Sequence, residues 1–250
     1  MKKIGWFTTA RGPGSYNLFN AMLNSMRTGE IKARVSFIFI NREVKENKCR
    51  KRIIEMAEEN GIPAIIYPSD TFKMQLKEKD TDSWRKEYGI GLRERISKHD
   101  MDFGVLAGYM LIMDPETCRK HDIINLHPAL PDTYQGTWEE IVGRVVDNED
   151  ECYGATVHLV TPELDRGQII AYDSFRLEEL RERYRNREEL VKAIRTEEVK
   201  REAHLLMATI KLLVEGDVVL DQGRLQDRWG EALGSYPCLT EAINQKLQQG

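Results

Sequence analysis

Ile4-Gly5-Trp6-Phe7-Thr8-Thr9 is a short apolar strand, Arg11-Gly12-Pro13-Gly14-Ser15 a turn, and Asn17-Leu18-Phe19-Asn20-Ala21-Met22-Leu23 resumes at helical spacing. A strand feeding a glycine-rich loop and then a helix is the opening unit of a doubly wound α/β sheet. Such a junction presents free backbone N–H groups and the positive end of a helix dipole, which suits an anion; an ordinary tight turn fits the residues equally well. No Gly-Lys-Ser/Thr triplet and no G-x-G-x-x-G spacing closes this loop, so neither a Walker nor a dinucleotide fingerprint is present.

Working outward, Ala33 to Ile40 is a near-continuous apolar strand of the kind buried on both faces of a parallel sheet. Asn47 to Asn60 reads as an amphipathic helix stopped by Gly61, with Ile53, Ile54, Met56 and Ala57 on its inner side. Its Cys49-Arg50-Lys51-Arg52 run reads as a solvated face rather than a nucleic-acid patch. Pro63 to Pro68 is a third strand, which completes β-α-β-α-β. A charged, mostly helical stretch covers Lys77 to His99; Asp102 to Gly108 is a buried strand, and Asp114-Pro115 opens a short helix. Gly154 to Val160 and Gln168 to Phe175 are strands able to pair across the loop Thr161 to Gly167. Arg176 to Leu213 is helical and highly charged, packed on the domain's flank, and after Gly216 only Val218 to Leu220 and a turn at Gly223 carry regular signal. The expected fold is α/β, a doubly wound, mostly parallel sheet with flanking helices.

Ile124-Asn125-Leu126-His127-Pro128-Ala129-Leu130-Pro131 carries the chemistry. Residues at i and i+2 of a strand share a face, so Asn125 and His127 project into one space, and the prolines end regular structure just beyond them. An amide that donates while staying neutral, beside an imidazole that takes or gives a proton near pH 7, suits acyl transfer. A carboxylate would orient the ring, and Asp165 in its Pro/Gly-bounded loop is the candidate. A lone histidine after a strand is also a common structural residue, and His158 stands under the same reading. Metal binding by His127, His158 and Asp165 lacks any His-x-His or H-E-x-x-H spacing, and no metal is expected.

The net charge of −4 and pI near 5.9 provide no global basic field for nucleic acid. The run after Met1-Lys2-Lys3 is too short for a signal peptide, and no apolar run reaches a membrane span, so a cytoplasmic protein is expected. Cys49, Cys118, Cys152 and Cys238 are scattered and read as free thiols.

Val105-Leu106-Ala107-Gly108-Tyr109-Met110, the Ile124 to Pro131 stretch leading to Tyr134-Gln135-Gly136, Gly154-Ala155-Thr156-Val157-His158, and Glu163-Leu164-Asp165-Arg166-Gly167 together resemble the folate-dependent formyltransferases in order and spacing. The resemblance is closest to the glycinamide ribonucleotide branch and covers roughly residues 1–175. It implies a Rossmann-like formyltransferase fold and transfer of a formyl group from 10-formyltetrahydrofolate, as co-substrate, to a primary amine. Glycinamide ribonucleotide of purine biosynthesis is the first expected acceptor. An amino-sugar nucleotide or another amine, or an inactive folate-binding paralogue, is the alternative.

The resemblance makes Asn125, His127 and Asp165 the catalytic set, with protonated His127 at the oxyanion. It puts folate beside Tyr109, Met110, Leu111, Ile112, Met113, Val160, Thr161 and Glu163, with Arg85 at the folate tail. It puts the acceptor near Gly14, Ser15, Asn17, Pro128, Gly136 and Glu202. The family's Gly-Ser-Asn-Leu reads Gly14-Ser15-Tyr16-Asn17-Leu18 here, and its Pro-Gly or Arg-Gly reads Gln135-Gly136. Expected organisation is a domain over 1–215 (1–100 on the substrate-phosphate side, 101–175 on the folate and catalytic side) with a C-terminal extension over 216–250 packed on it. Expected partners are the amine and folate, with a homodimer the one assembly considered, and neither nucleic acid nor membrane. Initiator-tRNA formylation would call for a basic C-terminal barrel, and a folate deformylase for an extra N-terminal domain.

Overall fold

The computed structural model describes residues 1–44 and 47–249. The first half alternates strand and helix: β1 (Lys2–Thr8), α1 (Pro13–Arg27), β2 (Ala33–Ile40), α2 (Lys48–Glu59), β3 (Ala64–Ile66), α3 (Met74–Lys79), α4 (Thr81–Ile96), β4 (Phe103–Leu106), α5 (Pro115–Lys120) and β5 (Ile123–His127). Then come α6 (Trp138–Asp147), β6 (Cys152–Leu159), β7 (Ile169–Arg176), α7 (Glu178–Arg183), α8 (Arg187–Glu215), β8 (Val218–Asp221), β9 (Arg224–Asp227) and α9 (Thr240–Gln249). Seven strands form one sheet in the order β3-β2-β1-β4-β5-β6-β7. The pairs from β3 to β5 are parallel, and β5-β6 and β6-β7 are antiparallel. This is the expected doubly wound, mostly parallel sheet. The order reverses between β1 and β4, which opens a crevice beyond their carboxyl ends.

Both faces of the sheet are covered because alternate residues of each strand face opposite layers. Ile4, Trp6, Ile38, Val105, Ile124 and Val157 pack with α1 and the apolar stripe of α8, Leu205, Leu206 and Ile210. Phe7, Phe37, Phe39, Leu106 and Ile123 pack with Trp84, Tyr88 and Leu92 of α4. Each fully buried Phe contributes about 1.5–3 kcal/mol. A bidentate ion pair, Arg201 Nε to Asp173 Oδ2 at 2.6 Å and Nη2 to Oδ1 at 2.8 Å, pins α8 to β7 beneath the surface. The tail covers the exposed edge of β7: Tyr172 donates to the Pro237 carbonyl and Leu239 to the Tyr172 carbonyl.

Several local expectations change. Helix α1 starts at Pro13, inside the expected turn, because proline at the first helical position loses no hydrogen bond and presets φ. The charged stretch 77–99 is two helices parted at Asp80, whose side chain caps α4 by accepting from Ser83 N–H. The 176–213 stretch likewise breaks, and Asn186 caps α8 by accepting from Glu188 and Glu189. Helices α6 and α9 were not expected. Arg50 does not belong to a solvated face: it is buried and donates to the carbonyls of Thr9 and Glu43. The four cysteines carry free thiols, and among the described residues no helix is long and apolar enough to cross a membrane.

Candidate active site

Antiparallel pairing of β5 with β6 sets Asn125 opposite His158 and His127 opposite Thr156, so all four side chains share one face. Asn125 Nδ2 lies 3.2 Å from His158 Nε2, and His158 Nδ1 lies 2.8 Å from the Leu159 carbonyl. A carbonyl can only accept, so Nδ1 carries the His158 proton and Nε2 accepts from the Asn125 amide. By the same logic His127 Nε2, 2.8 Å from the Tyr134 carbonyl, donates to it, which leaves Nδ1 bare in the neutral ring.

The loop between β6 and β7 delivers Asp165. Its φ of 52° is left-handed, a conformation an aspartate tolerates only when its surroundings hold it. Gly167 closes the loop onto β6: a Cβ there would lie 1.6 Å from the Leu159 carbonyl oxygen, so only glycine fits. Asp165 consequently stands between the two rings, Oδ2 3.5 Å from His127 Nδ1 and Oδ1 3.6 Å from His158 Nε2, with all three side chains largely buried.

Burial is the main influence on His127 and lowers its pKa; the Tyr134 carbonyl and Asp165 push the other way without winning. The neutral form of the ring is therefore favoured near pH 7. Burial works to raise Asp165, but His158, His127 and the Gly136 N–H outweigh it and hold its pKa below the usual carboxylate value. An ionised carboxylate facing a bare, buried imidazole nitrogen is a place prepared for one incoming proton.

These groups form one wall of a cavity of about 680 Å3 beyond the ends of β1, β4 and β5. The segment Tyr109 to Met113 and the residues Val160, Thr161 and Glu163 line it, as do Gly14, Ser15, Pro128, Gly136 and Glu202. Two expected contacts are not among its lining residues. Arg85, on α4, pairs with Asp82 one turn back, and Asn17 lies on the exposed side of α1. The extra residue Tyr16 rotates that position by about 100° around a helix of 3.6 residues per turn. Gly108 brings the β4 end and α1 together: at φ 67° its absent Cβ would stand 2.7 Å from Ser15 Oγ.

Among the lining residues beyond the expected set are His158, Arg195 and Arg11. The alternation of β6 already sets His158 on the same face as Thr156, toward Asn125 and His127. Arg195 lies on α8 two turns before Glu202; its Nη1 is 2.7 Å from both Glu198 Oε2 and Glu202 Oε1, and its guanidinium stacks 5.1 Å from the Trp138 ring. Burial holds Glu198 well above the usual carboxylate range. Arg11, before α1, lines the cavity as well.

The chain matches the family model described as "Formyl transferase" over residues 12–201. It is 30% identical over 159 residues to phosphoribosylglycinamide formyltransferase of Escherichia coli, covering 63% of this chain and 66% of that protein. It is 32% identical over 160 residues to the enzyme of the same name from Schizosaccharomyces pombe, covering 61% of this chain and 72% of the relative. The crystal structure of glycinamide ribonucleotide transformylase 1 from Symbiobacterium toebii shares the fold with a TM-score of 0.70 at 23% identity, covering 91% of this chain and 94% of that one.

Proposed function

The chain belongs to the formyl transferase family, and from that premise we propose that it transfers a formyl group from 10-formyltetrahydrofolate to the primary amine of glycinamide ribonucleotide. The observation that carries the reading is the convergence of Asn125, His127 and Asp165, with His158, on one wall of a cavity large enough for a folate and a small acceptor. The folate supplies the formyl carbon and an N10 leaving group.

Asn125 faces the tetrahedral oxygen that forms when the amine attacks. Asn125 spends one N–H on His158 and keeps the other for the oxyanion. The proton lost by the attacking amine settles on the bare Nδ1 of His127, where Asp165 stabilises the new imidazolium. His127 and Asp165 then return that proton to the leaving nitrogen as the bond to the formyl carbon breaks. His158 serves Asn125 as a fixed acceptor and stands 3.6 Å from the Asp165 carboxylate on its other side. The backbone of Tyr109 to Met113 and of the Val160 to Asp165 loop holds the folate ring. Gly14 and Ser15 at the start of α1 offer N–H groups to an acceptor phosphate, and Glu202, oriented by Arg195, meets the acceptor's polar atoms.

Purified protein supplied with 10-formyltetrahydrofolate and glycinamide ribonucleotide should form the N-formyl product. A protein that binds the folate yet transfers nothing to any amine in a panel of phosphorylated and sugar-nucleotide amines would sink the proposal.

A further inference from the structure

We infer that Gln135 is a positioning residue that ties the loop bearing Asp165 to the segment that orients His127, so that the proton acceptor and its counter-charge are held as one unit. This rests on the formyl-transfer reading of the same site.

Three consecutive residues each hold a different part of that pair. The Tyr134 carbonyl accepts from His127 Nε2–H at 2.8 Å, Gln135 Nε2 donates to the Leu164 carbonyl at 3.1 Å, and the Gly136 N–H helps to favour the ionised Asp165 carboxylate. The segment is itself anchored on both sides. Tyr134 OH donates to Asp150 Oδ2 at 2.7 Å and accepts from Asn148 Nδ2 at 2.8 Å, while Thr137 N–H donates to Glu140 Oε2 at 2.9 Å at the start of α6.

The loop it reaches is the less secured partner. Pro162, Glu163, Leu164 and Arg166 are exposed, and Asp165 between them keeps a left-handed φ. A peptide group is planar, so pinning the Leu164 carbonyl also fixes the N–H side of Asp165 and limits rotation about its φ. Gln135 applies that restraint from 29 residues away, across the gap between the two loops. Without it the carboxylate is free to drift from the 3.5 Å position at His127 Nδ1. Misplacement of a reacting group by about 1 Å costs up to about a hundredfold in rate.

Two substitutions separate the tether from mere bulk. Gln135→Glu keeps the shape but has no donor and sets a carboxylate against the Leu164 carbonyl; Gln135→Lys restores a donor on a flexible stem. With thermal midpoints close to wild type, kcat should fall about tenfold or more in Gln135→Glu and stay within about threefold of wild type in Gln135→Lys, with KM for both substrates changing less than kcat. A Gln135→Glu enzyme within about twofold of wild-type kcat, or a Gln135→Lys enzyme as slow as Gln135→Glu, overturns the assignment. Limited trypsinolysis reads the loop without turnover. Cleavage after the exposed Arg166 should be faster in Gln135→Glu than in wild type or Gln135→Lys, and equal rates in all three would remove the tether. Wild-type protein without transferase activity would defeat the formyl-transfer reading instead, while the trypsin comparison would still decide whether the loop is tied.

Discussion

The cavity has two unlike walls. On the β1 and β4 side, where strands run parallel, the lining is a helix start (Gly12 to Ser15) and an apolar bend (Gly108 to Met113) that offer backbone groups and carbon. On the β5 and β6 side, where pairing is antiparallel, two strands set polar side chains opposite one another and a strained loop adds a carboxylate. On the proposed reading, the chemistry belongs to the second wall and the anion and much of the folate ring to the first. A parallel sheet ends in helix N-termini, good for holding anions and flat rings, whereas an antiparallel pair brings side chains from distant positions to within hydrogen-bond reach.

If that division is right, the largest effects belong to the antiparallel wall. His127→Ala should lower kcat by about a thousandfold or more in a steady-state assay with the folate donor, while donor binding measured by titration survives. A variant retaining a tenth of wild-type kcat would show that the imidazole is not the proton carrier. Asn125→Ala should come next, with a loss of about 10²–10³ in kcat, about 3–4 kcal/mol, and little change in acceptor KM.

The parallel wall should respond in stability rather than in chemistry. Gly108→Ala must adopt φ 67° against Ser15 Oγ and should destabilise by about 1–3 kcal/mol in urea unfolding. Gly14→Ala, whose Cβ meets nothing within 4 Å, should fall within about 0.5 kcal/mol of wild type. Equal costs at the two glycines would mean that the β4 bend is not held closely against α1.

The smallest effect is a pH slope. His127 is shifted down from its ordinary value of 6.5, so its neutral form is favoured by folding. That contribution is complete above pH 6.5 and is lost as pH falls through the lowered folded value. Asp165, shifted down from 3.8, acts in the same direction over a window below that pH. Stability followed from pH 7 to pH 5 should decline in wild type and decline less in His127→Asn; identical slopes would place the buried proton elsewhere.

Much of this was legible in the chain, though unevenly. The shared face of Asn125 and His127 follows from strand geometry, and the prolines after them mark where the strand stops. Helix α6 is equally legible: Thr137 and Glu140 make a capping box, and Ile141, Val142 and Val145 a buried stripe. Arg85, which does not line this cavity, is a position that periodicity cannot place. On a charged helix such as α4, spacing does not tell which turn faces a cavity that other elements create.

The sequence alone determined the alternation of strands and helices, the polar pair at the end of β5 and, through four spaced motifs, the family, because these depend on local periodicity and residue chemistry. Only the tertiary structure decided that His158 stands between Asn125 and Asp165, that burial lowers the pKa of His127 and that Gln135 spans to Leu164. Each of those depends on register, burial or contact between residues far apart in the chain, and such energies are set only when the sheet and its loops close around them.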